Sequence, residues 1–184
     1  MSGDLHPVAC PADLECEAIL PDGSSIRLRP INPADVGRLQ AFHGRLSRDS
    51  IFFRFFSPLP ALTDERAAYF TTVDFDRRLA IVAVEGQADA EEIVGVIRYD
   101  RHDGDAAEFA LIVEDRLQHH GIGSALFWAL VAAARRRGIH TMTADVLAEN
   151  RRMLAFLRET GLPMRSRRAG EVIKTELDLA EPPP

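Results

Sequence analysis

The stretch Gln118-His119-His120-Gly121-Ile122-Gly123-Ser124 follows an apolar, strand-like run, Ala107 to Val113, and opens a long amphipathic segment. That order builds an anion site out of backbone. The first turn of a helix leaves N–H groups without intrahelical acceptors, and the aligned peptide dipoles add partial positive charge there, so a diphosphate is held without lysines. Gly121 and Gly123 have no Cβ, which lets the main chain approach the ligand closely.

Two rival phosphate loops fail on spacing. In a Rossmann-type reading Asp145 lies about where a ribose-binding acid is expected, but the third glycine position holds Leu126. The gap between Val113 and Gly121 is also seven residues, where the Rossmann turn is nearly immediate. A P-loop fails because no Gly-Lys-Ser/Thr follows. The longer gap leaves room for a ligand to run from a strand edge down to a helix terminus.

Working outward, Gly121 to Arg137 reads as a helix with Ile122, Ala125, Leu126, Ala129, Leu130 and Ala133 on one face and Gly138 as its stop. Thr141 to Leu147 is the next strand; Asn150 caps a helix carrying Met153, Leu154, Phe156 and Leu157 as far as Gly161, and Glu171 to Leu179 closes with a strand. Upstream, Ser24 to Arg29 alternates as a strand, and Asn32 before Pro33 starts a helix with Leu39, Phe42 and Leu46 as its stripe. Ser47 caps a short helix containing Phe52, Phe53, Phe55 and Phe56, too many for one buried stripe, which pack in the core or wall a ligand channel. Thr63-Asp64-Glu65 starts a third helix through Phe70, and Leu79–Glu85, Glu92–Tyr99 and Ala106–Val113 form a meander with a hairpin loop at 101–105. The sum is an α/β fold on a mixed sheet.

At 184 residues, with 46% hydrophobic and 27% charged, the chain has the balance of one globular domain. The expectation is a flexible lead-in over 1–18, a single domain over 19–180, and a tail over 181–184. The start, MSGDLHPVACPADLECE, has acids and prolines where a secretion signal needs a basic then apolar stretch, so a cytoplasmic protein is expected, with no membrane partner. A net charge of −6 argues against nucleic acid as a partner. Cys10 and Cys16 have no companion Cys/His cluster, and adjacent His119 and His120 have no evident third ligand, so no metal is expected. Arginines 135–137, 151, 152, 158, 165, 167 and 168 crowd the C-terminal third, either as solvated helix faces or as a positive field for a polyanion.

Together, Ala107-Glu108-Phe109-Ala110-Leu111-Ile112-Val113, the Gln118-x-x-Gly121-x-Gly123-Ser124 loop, and Asn150 through Gly161-Leu162 resemble the acetyl-CoA-binding motifs of the GNAT superfamily of N-acetyltransferases. The resemblance runs over residues 24 to 179 in element order. More narrowly, Phe42-His43-x-x-Leu46-Ser47, Arg54-Phe55-Phe56 and Ile93 to Tyr99 are similar to the catalytic domain of bacterial Pat-type protein lysine acetyltransferases. Those enzymes often join this domain to a regulatory module, and the expectation for these 184 residues is the catalytic domain alone. The resemblance implies a mostly antiparallel sheet splayed at the cofactor strand and flanked by helices.

It further implies that acetyl-CoA is the cosubstrate. Backbone freed near Ile112 and Val113 would hold the pantetheine arm, and N–H groups from Gln118 through His119, His120, Gly121, Ile122 and Gly123 to Ser124 would hold the pyrophosphate, the Ser124 hydroxyl and both histidines adding donors. Asn150 belongs to the motif that follows. A lysine amine, with a pKa near 10.4, is mostly protonated at neutral pH and cannot attack a thioester, so a general base is needed. Glu108, polar within an apolar strand, matches the family's catalytic glutamate; Glu114 and Asp115 are weaker alternatives. A backbone N–H near Val113 would stabilise charge on the thioester oxygen. The tyrosine that many members use as general acid is here Leu157. A protein lysine is the expected acceptor; a small amine, or a non-catalytic acyl-CoA-binding module, are the alternatives, and oligomeric state is open.

Overall fold

A computed structural model of the chain describes residues 12–87, 90–102 and 104–180. Eight strands form one sheet in the order β1-β2-β3-β4-β5-β6-β8-β7. They are β1 (Cys16–Ile19), β2 (Ser25–Pro30), β3 (Arg78–Glu85), β4 (Glu92–Arg101), β5 (Ala106–Val113), β6 (Thr141–Leu147), β7 (Met164–Ala169) and β8 (Val172–Asp178). Every pairing is antiparallel except β5 with β6. Five α-helices flank the sheet: α1 (Val36–Arg45), α2 (Arg48–Phe55), α3 (Asp64–Thr71), α4 (Ile122–Arg136) and α5 (Arg151–Glu159).

The interior strands are covered on both faces, which is why Leu79–Val84 is buried without interruption. On one face α4 and α5 pack Leu126, Phe127, Leu130 and Leu157 against Phe109, Ile97 and Met142. On the other, Leu39 and Phe42 of α1 and Ala67 of α3 cover Ala80, Val82 and Val96. α4 lies close on β4 because Gly95 has no side chain: a Cβ there would stand 2.9 Å from Leu126 Cδ1. The expected caps form, with Asn32, Ser47, Thr63 and Asn150 each accepting from a first-turn N–H.

Three expectations change. The lead-in expected through residue 18 already holds a 3-10 turn (Ala12–Leu14) and most of β1, which pairs with β2; residues 1–11 and the tail 181–184 lie outside the described residues. Residues 164–170, given no element between the helix ending at Gly161 and the strand from Glu171, contain β7, an edge strand paired with β8 and exposed along nearly its whole length. On α4, Phe127, Val131 and Ala134 are buried whereas Ala125 and Ala129 are only partly covered, because α5 and the N-terminal segment cover a second flank.

Candidate functional site

The register of β5 builds the site. β5 pairs with β4 from Ala107 to Val113, but with β6 only at Ala106, Ala107 and Glu108, opposite Thr141, Met142 and Thr143. Beyond Glu108 the sheet splits, four residues earlier than the bend expected at Ile112. β6 turns to β8 and stays paired with it through Leu147. The gap opens a cleft of about 1150 Å³ walled by β5 (108–113), β6 (144–146), the start of α4, the start of α5, and α2.

Glu108, Ile112, Val113, Gln118, His119, Gly121, Gly123, Ser124 and Asn150 all line this cleft. Ile122 does not, being buried in the core, so only its backbone is available. His120 also lies off the lining, its Nδ1 2.9 Å from the Gln118 carbonyl. Asn150 acts through its Oδ1, which accepts from Met153 N (3.1 Å) and starts the α5 wall.

The N-terminus of α4 faces the cleft without a side-chain cap, and the first helical bond runs from Ala125 N to Gly121 O (3.0 Å). The N–H groups of the first turn are therefore available to an anion. Gly121 holds φ +89° as the cap, and a Cβ there would strike Pro21 Cδ at 2.5 Å. At Gly123 a Cβ would meet only Leu111 and Val113 at 3.6 and 3.8 Å, so its ligand side is open. His119, at φ +68°, takes a conformation that costs a non-glycine residue about 1–2 kcal/mol.

Gln118 acts by its side chain rather than its backbone, whose N–H is drawn toward Asp115 O (3.4 Å). Its Nε2 donates to Val113 O (3.1 Å) and to Ser50 Oγ (3.4 Å), and its Oε1 accepts from Arg152 Nη1 (3.2 Å). One side chain thus joins β5, α2 and α5 around the cleft.

The alternative bases are occupied. Glu114 is buried and accepts from Arg45 Nε (2.9 Å) and Arg116 Nε (2.6 Å). Asp115 accepts from Ser47 N, Ser47 Oγ and Ser50 Oγ at 2.7–2.9 Å. Partial burial pushes the Asp115 carboxyl up, but these bonds outweigh it and hold it below its ordinary value. Glu108 differs from both: its side chain is 57% exposed, and the His102 ring lies beside it, Nε2 at 3.9 Å. Asp100 stands directly opposite it on β4.

Sequence reasoning missed the arginines behind this face. Arg54 of α2 lines the cleft, stacked 4.9 Å from the Phe55 ring centroid. Burial lowers its pKa against the opposing pull of Asp100 and Glu108. Arg98, buried with its Nη2 on Phe70 O (2.7 Å), is pushed down to about 9 by burial and by the charge of Arg54. The phenylalanines of α2 resolve toward the channel: Ile51 alone is buried, and Phe53, Phe55 and Phe56 line the cleft. Of the crowded arginines, only Arg151 and Arg152 reach the lining; Arg135 and Arg137 bind carbonyls near the far end of α4, and Arg136 pairs with Asp13.

Leu157 is fully buried and off the lining. Neither tyrosine lines the cleft: Tyr99 is buried, its hydroxyl on Asp76 O (3.1 Å) and pushed up to about 12 by burial, and Tyr69 lies outside it. Among the described residues no group of three or more His, Cys, Asp or Glu is placed to hold a metal ion, and no helix is long and apolar enough to cross a membrane.

Comparison with known proteins meets this geometry. The model of the acetyltransferase (GNAT) family matches residues 48–162. Acetyltransferase Pat of Mycolicibacterium smegmatis is 31% identical over 162 residues, which are 85% of this chain but 46% of that protein, so the chain spans about half the length of this curated relative. The crystal structure of the GNAT domain of S. lividans PAT superposes with a TM-score of 0.84 at 33% identity, covering 92% of this chain and 99% of that one. At the level of fold alone, the structure of yncA from Salmonella typhimurium with its cofactor acetyl-CoA gives a TM-score of 0.66 at 19% identity, covering 86% and 96%.

Proposed function

The chain belongs to the GNAT acetyltransferase family, and from that premise we propose that it moves an acetyl group from acetyl-CoA to the ε-amine of a protein lysine, with Glu108 as general base. The observation that carries the reading is the place of Glu108. It is the last β5 residue paired to β6, so its carboxylate stands where the sheet opens into the cleft.

The residues around the cleft fit the cosubstrate. No strand claims the outer edge of β5 beyond Glu108, so main-chain groups near Ile112 and Val113, apart from Val113 O, which accepts from Gln118 Nε2, suit an extended pantetheine arm. The bare N-terminus of α4, open at Gly123, suits the pyrophosphate, with the Ser124 hydroxyl and His119 beside it. Acetyl-CoA supplies the activated acyl group. Glu108 takes the proton that the acceptor ammonium must lose, directly or through a water, a contribution of about 10²–10⁴-fold. Its exposure then lets that proton pass to solvent. No tyrosine or cysteine among the described residues lines the cleft, and a thiol pKa near 8.5 allows the thiolate to leave without a dedicated acid.

Similarity to Pat-type enzymes supports a protein lysine as acceptor. The unit proposed to carry the activity is the single domain expected over residues 19–180, extended by the Ala12–Leu14 turn and β1. Incubation with acetyl-CoA and lysine-bearing acceptor proteins, read by thiol release and by mass spectrometry, tests the proposal. New ε-acetyl-lysine that is absent with Glu108→Gln is the expected result. Turnover with free amines alone would overturn the acceptor assignment.

A further inference from the structure

Arg54 occupies an unusual position among the arginines. Those that are likewise not fully exposed all donate to an acceptor: Arg29 and Arg38 to acids or carbonyls beside them, Arg45 to Glu114, Arg78 to Asp100, Arg98 to Phe70 O, Arg101 to Gly104 O, Arg135 to Leu179 O and Arg137 to Phe75 O. Arg54 alone in this group makes no hydrogen bond and no ion pair with any described residue. Its ring contact is with Phe55, and its N–H donors have no acceptor among the described residues. A sheltered cation without an acceptor has lost part of its hydration and gained no bond in return.

The place of Arg54 says which anion reaches it. The backbone site for phosphate lies at the start of α4. Arg54 instead stands on α2 and lines the cleft with Glu108 and Ala110, which share one face of β5. With Glu108 as the base, this is the end of the cleft where the acceptor amine must lie. A planar guanidinium over an aromatic ring matches a carboxylate through two parallel N–H···O bonds. Glu108 meanwhile offers negative charge to the incoming ammonium, and Phe53 and Phe56 present apolar walls beside them.

We propose that Arg54 is a specificity-determining residue that binds a carboxylate of the acceptor, so that the preferred substrate is a lysine with an acidic residue as its neighbour. This rests on the reading of the cleft as an acceptor site with Glu108 as its base. Arg54 binds and orients; Glu108 moves the proton.

The test uses two capped tripeptides, Glu-Lys-Glu and Gln-Lys-Gln, with acetyl-CoA at saturation. Initial rates are read by thiol release, and peptide affinity is read by calorimetry. Wild type favours the acidic peptide by about 10-fold in kcat/KM, the size of one charge-assisted pair, carried mainly by KM. Arg54→Met treats the two peptides alike, and Arg54→Lys, which keeps the charge but loses the fork, falls between. Thermal unfolding of each variant shows whether it is folded. Equal affinities in wild type, no binding of either peptide, or a preference that survives in folded Arg54→Met would overturn the proposal. Glu108→Gln separates the two readings. If it stops turnover while wild type shows no peptide preference, the inference on Arg54 fails alone. If turnover survives it while the calorimetric preference stands, the base assignment fails alone.

Discussion

Glu108 and Thr143 form the last rung between β5 and β6, and the cleft begins there, at Glu108 on β5 and at Ala144 on β6. The proposed proton acceptor and the uncovered strand edge that suits a pantetheine arm are therefore adjacent in the chain. Whatever positions one positions the other, because both ride on β5, which its pairing with β4 holds along its whole inner side.

The two glycines of the loop respond differently to substitution. Gly123→Glu places a carboxylate at the open side of the α4 terminus without a steric demand on the core. Acetyl-CoA binding is lost in calorimetry while the melting temperature stays close to wild type. Gly121→Ala puts a Cβ on a residue at φ +89° and against Pro21, so it lowers stability by about 1–2 kcal/mol or more. Unaltered acetyl-CoA affinity in folded Gly123→Glu would contradict the phosphate assignment.

Asp115 gives a pH signature. Its carboxyl lies below the ordinary value of 3.8 in the folded chain, so its contribution is fully present above that value and is lost as pH falls through the lower, folded value. Asp74, also held low, is shared by wild type and variant and cancels in a difference. The melting temperature of wild type therefore exceeds that of Asp115→Asn at neutral pH, and the gap closes toward acid. A gap that is constant down to the most acid point tested would show that the Ser47 and Ser50 bonds do not favour the charged form.

Leu157→Tyr does not supply a general acid. Leu157 is fully buried in the cluster that also holds Phe127 and Phe109, so the larger ring overpacks it, costing about 1–3 kcal/mol. The expected outcome is a lower melting temperature with no gain in kcat. A rise in kcat would mean that α5 repacks to turn this position toward the cleft.

Much of this was legible in the chain because local chemistry and tertiary structure agree. Asn32, Ser47, Thr63 and Asn150 are caps in the sequence and caps in the fold, and the glycines at 121 and 123 mark the helix start that faces the cleft. β1 and β7 were not legible, since exposed edge strands such as Arg165-Ser166-Arg167-Arg168 have no apolar alternation and are specified only by the register of their partner. Gly95 carried no signal either, because its role depends on Leu126, remote in sequence. The run Phe52 to Phe56 showed that not all could be buried, but which ones face the cleft depends on how Ser47 and Ser50 tie α2 to Asp115. Arg54 could have been flagged as the one basic residue inside that run.

The most direct test of the account compares acetyl-CoA affinity and acetyl transfer in wild type and Glu108→Gln, which keeps shape and removes the base. The account predicts an unchanged dissociation constant for acetyl-CoA and a fall of about 10²–10⁴-fold in kcat/KM for the lysine acceptor. Transfer at the wild-type rate by the folded variant would contradict it.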